Sequence, residues 1–178
     1  DIRSLVQMIE LRLPAASNDD ERREMLRRVS ELKDERLHDD AGAFDALAKR
    51  LPLDPEDAST RERFIEIGKR LGRHADVVAV LSESADKAAR GPIRAEILMQ
   101  LAATCEHALV DSARAETEYR KVIETDPTDP AIVLPASVEL ARLYTSRSAY
   151  SELADVLGVQ VKLEESLEKR AALCKRLG

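Results

Sequence analysis

Tryptophan is absent from this 178-residue chain, and its aromatic residues are only Phe44, Phe64, Tyr119, Tyr144 and Tyr150. Its interior must therefore be built from Leu, Ile, Val and Ala. Six glycines and seven prolines supply too little turn chemistry for an all-β sandwich or barrel. The two cysteines, Cys105 and Cys174, lie far apart and lack a CxxC partner, which argues against a disulfide scaffold and a zinc site. Both read instead as small packing residues, and their scarcity fits a reducing, cytoplasmic compartment. The longest purely apolar run, Val77 to Leu81, falls far short of the roughly 20 residues that span a bilayer, so no membrane insertion is expected. Positive charge is also short. Lys and Arg number 28 against 34 Asp and Glu, a net charge of −6, which argues against a nucleic-acid partner.

What remains is a chain that is 44% hydrophobic and 35% charged, a balance typical of an ordered, helix-rich protein. Apolar residues recur at intervals of three and four, the spacing of one helical stripe. They define ten amphipathic segments, at about 1–13, 19–36, 40–51, 56–71, 74–90, 92–107, 111–125, 135–146, 148–162 and 165–177. The breaks have physical causes. Asn18 with Glu21 reads as a capping box, each side chain serving the other's exposed backbone donor. In Asp54-Pro55, Gly91-Pro92 and Asp129-Pro130 the proline falls where a first-turn residue has no N–H to lose, with Asp54 and Asp129 as caps. Pro14 and Pro52 end the helices before them. A proline in a helix interior costs about 3 kcal/mol, so Pro135 places the start of the eighth helix near Leu134.

Every second helix repeats one pattern: a spacer, an aliphatic three later, a small residue next, then a larger one three beyond. It reads Leu26, Val29, Ser30, Lys33; Phe64, Ile67, Gly68, Leu71; Leu98, Leu101, Ala102, Cys105; and Ser137, Leu140, Ala141, Tyr144. A final half-copy is Arg170, Leu173, Cys174, Leu177. The aliphatic positions are separated by 38, 34, 39 and 33 residues. Small residues beside aliphatic ones let neighbouring helices approach closely.

This period and pattern resemble the tetratricopeptide repeat, an antiparallel helix pair of about 34 residues. The match is best over Asp111 to Pro127, with Ala115 at the small position, Tyr119 at the aromatic one and the closing Asp126-Pro127. The absence of Trp and the lysine at position 33 depart from the family pattern, and keep a HEAT-like or more irregular helical array open. The resemblance implies an all-α, right-handed α-solenoid of stacked antiparallel hairpins, about ten helices in one array. The repeats would be 19–55, 56–90, 92–127 and 128–163. Residues 1–13 would be the second helix of a preceding repeat and 165–178 the first of a truncated one, making the chain a fragment of a longer array.

Catalytic readings are weak. His38, His74 and His107 lie at helix ends or turns and lack the His-x-x-x-His or Glu-x-x-His spacing of metal ligands. His38-Asp39-Asp40 are three adjacent turn residues that rarely converge on a cation. No glycine-rich phosphate loop occurs, so no enzyme activity, cofactor or metal is expected. Arg22, Arg23, Arg27 and Arg28 are interleaved with Glu21, Glu24 and Glu31, which reads as a salt-bridged helix face. A binding surface remains. In the family the first helices of the hairpins line a concave face that receives a peptide or a partner helix. Carried over by register, this face holds Arg28, Ile65, Lys69, Met99, Gln100, Val138, Arg142 and Lys175, with Ile65, Met99 and Val138 as an apolar track. The chain is thus read as a protein–protein interaction scaffold, without a nucleic-acid partner. Alternatives are a regulatory segment of a larger signalling enzyme or transcription regulator, a helical-repeat RNA binder, and self-association through open solenoid ends. Arginine's excess over lysine hints at a bacterial source.

Overall fold

A computed structural model describes residues 1–177. Among the described residues all regular structure is helical, in ten α-helices: α1 (Ile2–Arg12), α2 (Asp19–Glu31), α3 (Asp40–Arg50), α4 (Ala58–Leu71), α5 (His74–Lys87), α6 (Pro92–His107), α7 (Ser112–Thr125), α8 (Pro130–Ser146), α9 (Tyr150–Leu163) and α10 (Leu167–Leu177). The chain divides into two compact units, Asp1–Ala88 and Ala89–Gly178. In each, helices consecutive along the chain pack on one another, and in the second α8 also touches α6.

The caps explain the starts. Asn18 accepts from the Glu21 N–H at 2.8 Å, Asp39 from Gly42 at 2.9 Å, Asp57 from Thr60 at 3.0 Å, Asp111 from Arg114 at 3.0 Å and Asp129 from Ala131 at 2.9 Å. Each satisfies an N–H that has no partner within its own helix. Two expectations shift. Asp57, not Asp54, caps α4, because Leu51–Leu53 form a 3₁₀ turn that carries the chain past Pro55. The Glu21 carboxylate reaches the Ser17 N–H and hydroxyl at 2.8 and 2.6 Å rather than the backbone of Asn18, so the box closes one residue early.

Pro135 does not delay α8, which begins at Pro130 and runs through it. The ring is exposed, while Ile132, Val133, Ala136 and Ser137 on either side are buried. Burial of those neighbours, with the Asp129 cap, offsets the hydrogen bond that proline cannot make. The segment expected as one helix over 19–36 also changes character. It continues from α2 as a π-helical turn, Leu32–Arg36, whose widened spacing buries Leu32 and directs Lys33 to Glu10 of α1 at 2.6 Å. A charged residue at that repeat position is thereby paired across the α1 contact.

One device recurs in the turns that follow every second helix. A residue in the left-handed region stands at His38 (φ 51°), Gly72 (φ 68°), Val110 (φ 55°) and Ser148 (φ 55°), separated by 34, 38 and 38 residues. The next N–H bonds back to the end of the preceding helix each time: Asp39 to Lys33 O at 2.8 Å, Arg73 to Gly68 O at 2.9 Å, Asp111 to Cys105 O at 2.9 Å and Ala149 to Tyr144 O at 2.9 Å. These bonds satisfy carbonyls that the helix leaves open. Only Gly72 adopts the geometry freely; Val110 is β-branched, 80% exposed and gains no packing there. Val110→Gly should therefore raise stability by about 1 kcal/mol. Urea denaturation checks this; an unchanged or lowered midpoint would show that Val110 is not strained in this turn.

The repeat pattern marks the core. Leu26, Val29, Ser30, Phe64, Ile67, Gly68, Leu98, Leu101, Ala102, Cys105, Ser137, Leu140, Ala141 and Tyr144 are all buried. Leu71, the last position of the second copy, is exposed, and the final half-copy departs further. Leu173 is half-buried, Arg170 is exposed, and Cys174 is exposed rather than packed, because α10 packs chiefly against α9. The side chain of Leu177, its last position, lies outside the described residues.

Candidate functional site

On α8 the buried stripe Ile132, Val133, Ala136, Ser137, Leu140 leaves Val138 and Arg142 on the opposite side. Val138 is 54% exposed. It lines two adjoining depressions of about 480 and 360 Å³ between α8, α9 and α10. The first is bounded by Val138, Ala141, Arg142, Thr145, Gln160 and Arg176, the second by Leu134, Val138, Gln160, Glu164, Lys169, Leu173 and Arg176. Sharing Val138, Gln160 and Arg176, they form one elongated groove.

Its charges are unevenly committed. Arg142 donates to the Glu106 carboxylate at 2.6 Å and to Glu139 at 2.9 Å, and hydrogen bonding to these two raises its pKa above the usual guanidinium value. It is fastened to α6 as well as to its own helix. Arg176 and the Lys169 ammonium make no ion pair among the described residues. Gln160, on the floor, is 3% exposed, and its side-chain amide nitrogen has no hydrogen-bond partner among the described residues. A buried donor left unmade costs about 1–3 kcal/mol.

Neighbouring polar networks, by contrast, are closed. Glu116 accepts from the Tyr144 hydroxyl at 2.8 Å and from Arg147 at 2.9 Å. Burial pushes its pKa up, but those hydrogen bonds and the charges of Arg147 and Arg120 prevail and hold it below the ordinary glutamate range. Tyr119, at the aromatic repeat position, is buried with its hydroxyl 3.4 Å from Glu106; burial and that carboxylate hold its phenol protonated. The Cys105 thiol is likewise raised by burial, the opposite of an activated nucleophile.

No protein-family profile and no curated protein matches this chain.

In the first unit a second, more polar cleft of about 330 Å³ is lined by Arg27, Glu31, Asp34, Arg50, Asp57 and Arg63 among others. Here most charges are mutually engaged: Arg63 grips Asp34 at 2.7 Å through two nitrogens, Arg27 meets Glu31 at 2.5 Å, and Arg50 meets Asp57 at 2.6 Å, although the Arg50 Nε is buried without a partner among the described residues. Bonding to Arg63 depresses the Asp34 pKa. Burial works to raise that of Asp57, but Ser59, both donors of Thr60 and the Arg50 charge outweigh it and set it well below the usual carboxylate range. Depressed folded-state values mean stability that is complete above the unfolded-state pKa, near 4, and is lost as pH falls through the folded values. Thermal midpoints should therefore fall steeply below about pH 4. Asp57→Asn should flatten that dependence, and an unaltered acid slope would contradict the role given to Asp57.

The expected face is spread over several helices. Arg28 is exposed on α2 and borders a shallow depression with Ile9, Arg12 and Met25. Ile65 is half-buried and Lys69 exposed on α4. Met99 and Gln100 are half-buried on α6, and Gln100 is already engaged in an interaction. Val138 and Arg142 line the groove; Lys175 lies on α10 outside its lining, which takes Lys169 and Arg176 instead. Gln160 falls outside the face expected from register, because that face draws on the first helices of the hairpins and Gln160 sits on α9. Its one signal in the sequence is a polar residue three positions after Leu157, inside an apolar stripe.

The histidines are dispersed. His38 occupies a left-handed turn, His74 opens α5 rather than closing a helix, and His107 ends α6. Asp39 caps α3 and Asp40 pairs with Arg70 at 2.8 Å, so the three do not converge on a cation. Among the described residues no group of three or more His, Cys, Asp or Glu is placed to hold a metal, and no helix is long and apolar enough to cross a membrane.

Proposed function

We propose that this chain is a non-catalytic protein-interaction scaffold of tetratricopeptide-like hairpins, stacked antiparallel in a right-handed sense within each unit. It binds a peptide or helical segment of a partner protein on the concave face that the first helices of the hairpins form within each unit. The observation that carries this reading is the open groove on α8, where an exposed valine stands beside an amide and cations that have no partners among the described residues. A concave site with apolar walls and a few convergent polar groups is the make-up of a ligand site. The recurring left-handed turns, at intervals close to the family period, support the repeat assignment.

Selection of a displayed random-peptide library on the intact chain tests the reading. Peptides of micromolar affinity are expected. Glutamate substituted singly at Ile65, Met99 or Val138 should weaken them about tenfold at one or more of the three positions, with helical circular dichroism retained. A library yielding nothing above the bare support, or peptides indifferent to all three substitutions, would overturn it.

A further inference from the structure

We propose that the groove between α8, α9 and α10 takes an extended acidic peptide, one backbone carbonyl accepting from Gln160 and its carboxylates pairing with Arg176 and Lys169. This rests on the scaffold reading and specifies the ligand within it. Gln160 supplies the first argument. Gln160 lines both depressions and its buried amide nitrogen has no acceptor among the described residues, an acceptor that a ligand seated in the groove can bring. A helical ligand is a poor source, because the carbonyls of a helix interior are already bonded within the helix. An extended peptide carries its carbonyls free.

Charge supplies the second. The chain as a whole is acidic, yet α10 holds Lys169, Arg170, Lys175 and Arg176 against one acid, Glu168. Arg176 and Lys169 face the groove without ion-pair partners among the described residues, while Arg142 at its rim is neutralised by Glu106 and Glu139. The groove's own carboxylate, Glu164, accepts from the Ser166 N–H at 3.0 Å. A guanidinium that is free to pivot pairs well with an incoming carboxylate. Between the polar anchors, Leu134, Val138 and Leu173 offer a surface for an aliphatic side chain.

The test uses fluorescence anisotropy on the whole chain with three labelled peptides of equal length. One repeats Asp-Leu-Pro, which cannot form a helix; the second repeats Lys-Leu-Pro; the third is a helical Glu-Leu-Ala repeat. The Asp-Leu-Pro peptide should bind, at least tenfold more tightly than the other two, and more weakly as salt rises. Arg176→Glu should cost it about tenfold. Gln160→Leu should cost as much while raising the thermal midpoint, since it removes an unpaired donor. Lost affinity with gained stability is not what a merely structural glutamine would give. Equal binding of the lysine peptide, preference for the helix, or indifference to both substitutions would overturn the proposal. If library peptides bind through Ile65 or Met99 while Asp-Leu-Pro does not bind, the groove assignment falls and the scaffold reading stands; if no peptide of any kind binds, both fall.

Discussion

Gly68→Ala will destabilise the protein by about 2 kcal/mol, although the same change in the middle of a helix ordinarily helps. Gly68 lies in α4 with ordinary helical geometry, so no backbone freedom is at stake. What matters is space. A methyl group there would collide with Val77 Cγ2 of α5 and stand 2.9 Å from Phe44 Cε2 of α3. Neither neighbour yields cheaply: valine is stiff at χ1, and the Phe44 ring is fully buried. The helical gain of up to about 1 kcal/mol is smaller than the typical overpacking cost of about 1–3 kcal/mol. Gly158, midway along α9, serves as the control, since a methyl group added there would meet nothing within 4 Å. Gly158→Ala should stabilise by about 0.5–1 kcal/mol. Urea midpoints moving in opposite directions would establish close approach as the reason for Gly68; a Gly68→Ala midpoint at or above wild type would refute it.

That glycine is legible in the sequence as a position, though not as a contact. The spacing of Phe64, Ile67, Gly68 and Leu71 marks it as the small member of a repeated stripe, and the ten helices follow from the same periodicity. Periodicity works here because the helices are amphipathic and their breaks are marked by Asp, Asn and Pro, whose chemistry at helix ends is local. It fails where tertiary packing overrides a local preference. Pro135 sits within α8 because flanking residues are buried, and nothing local reveals that. His38, Val110 and Ser148 adopt left-handed turns normally announced by glycine, and only Gly72 carries the expected residue. Cys174 occupies a packing position by register, yet stands exposed on α10. At the candidate site, Val138 and Arg142 are visible from register. Gln160 and Arg176 need knowledge of which surfaces of α9 and α10 meet α8, a question of three-dimensional packing rather than of any single stripe.

Phe44→Ala carries the largest expected loss, about 3–5 kcal/mol. The ring is completely buried and stacks on Phe64 with centroids 4.5 Å apart and planes 22° from parallel. The Arg73 guanidinium also lies over the ring, 4.2 Å from its centroid, and bonds Asp45 and Asp76 at 2.6 Å each. Truncation therefore removes aromatic stacking, a cation–π contact and most of a large side chain's burial, and leaves a cavity bordered by Phe64 and Gly68. Arg73 keeps both carboxylates, so no unpaired charge adds to the cost. Against a typical total of about 5–15 kcal/mol, such a loss leaves the folded state barely populated on warming. Phe44→Leu retains part of the volume and should cost less. It also sharpens the case for Gly68, because the smaller side chain opens the space that a methyl at position 68 would need. In the double variant Gly68→Ala, Phe44→Leu, the Gly68→Ala penalty should shrink by about 1 kcal/mol or more, the size of coupling usual between touching residues. Strict additivity in that cycle would mean that Phe44 does not confine Gly68, and Val77 alone would then account for the small residue.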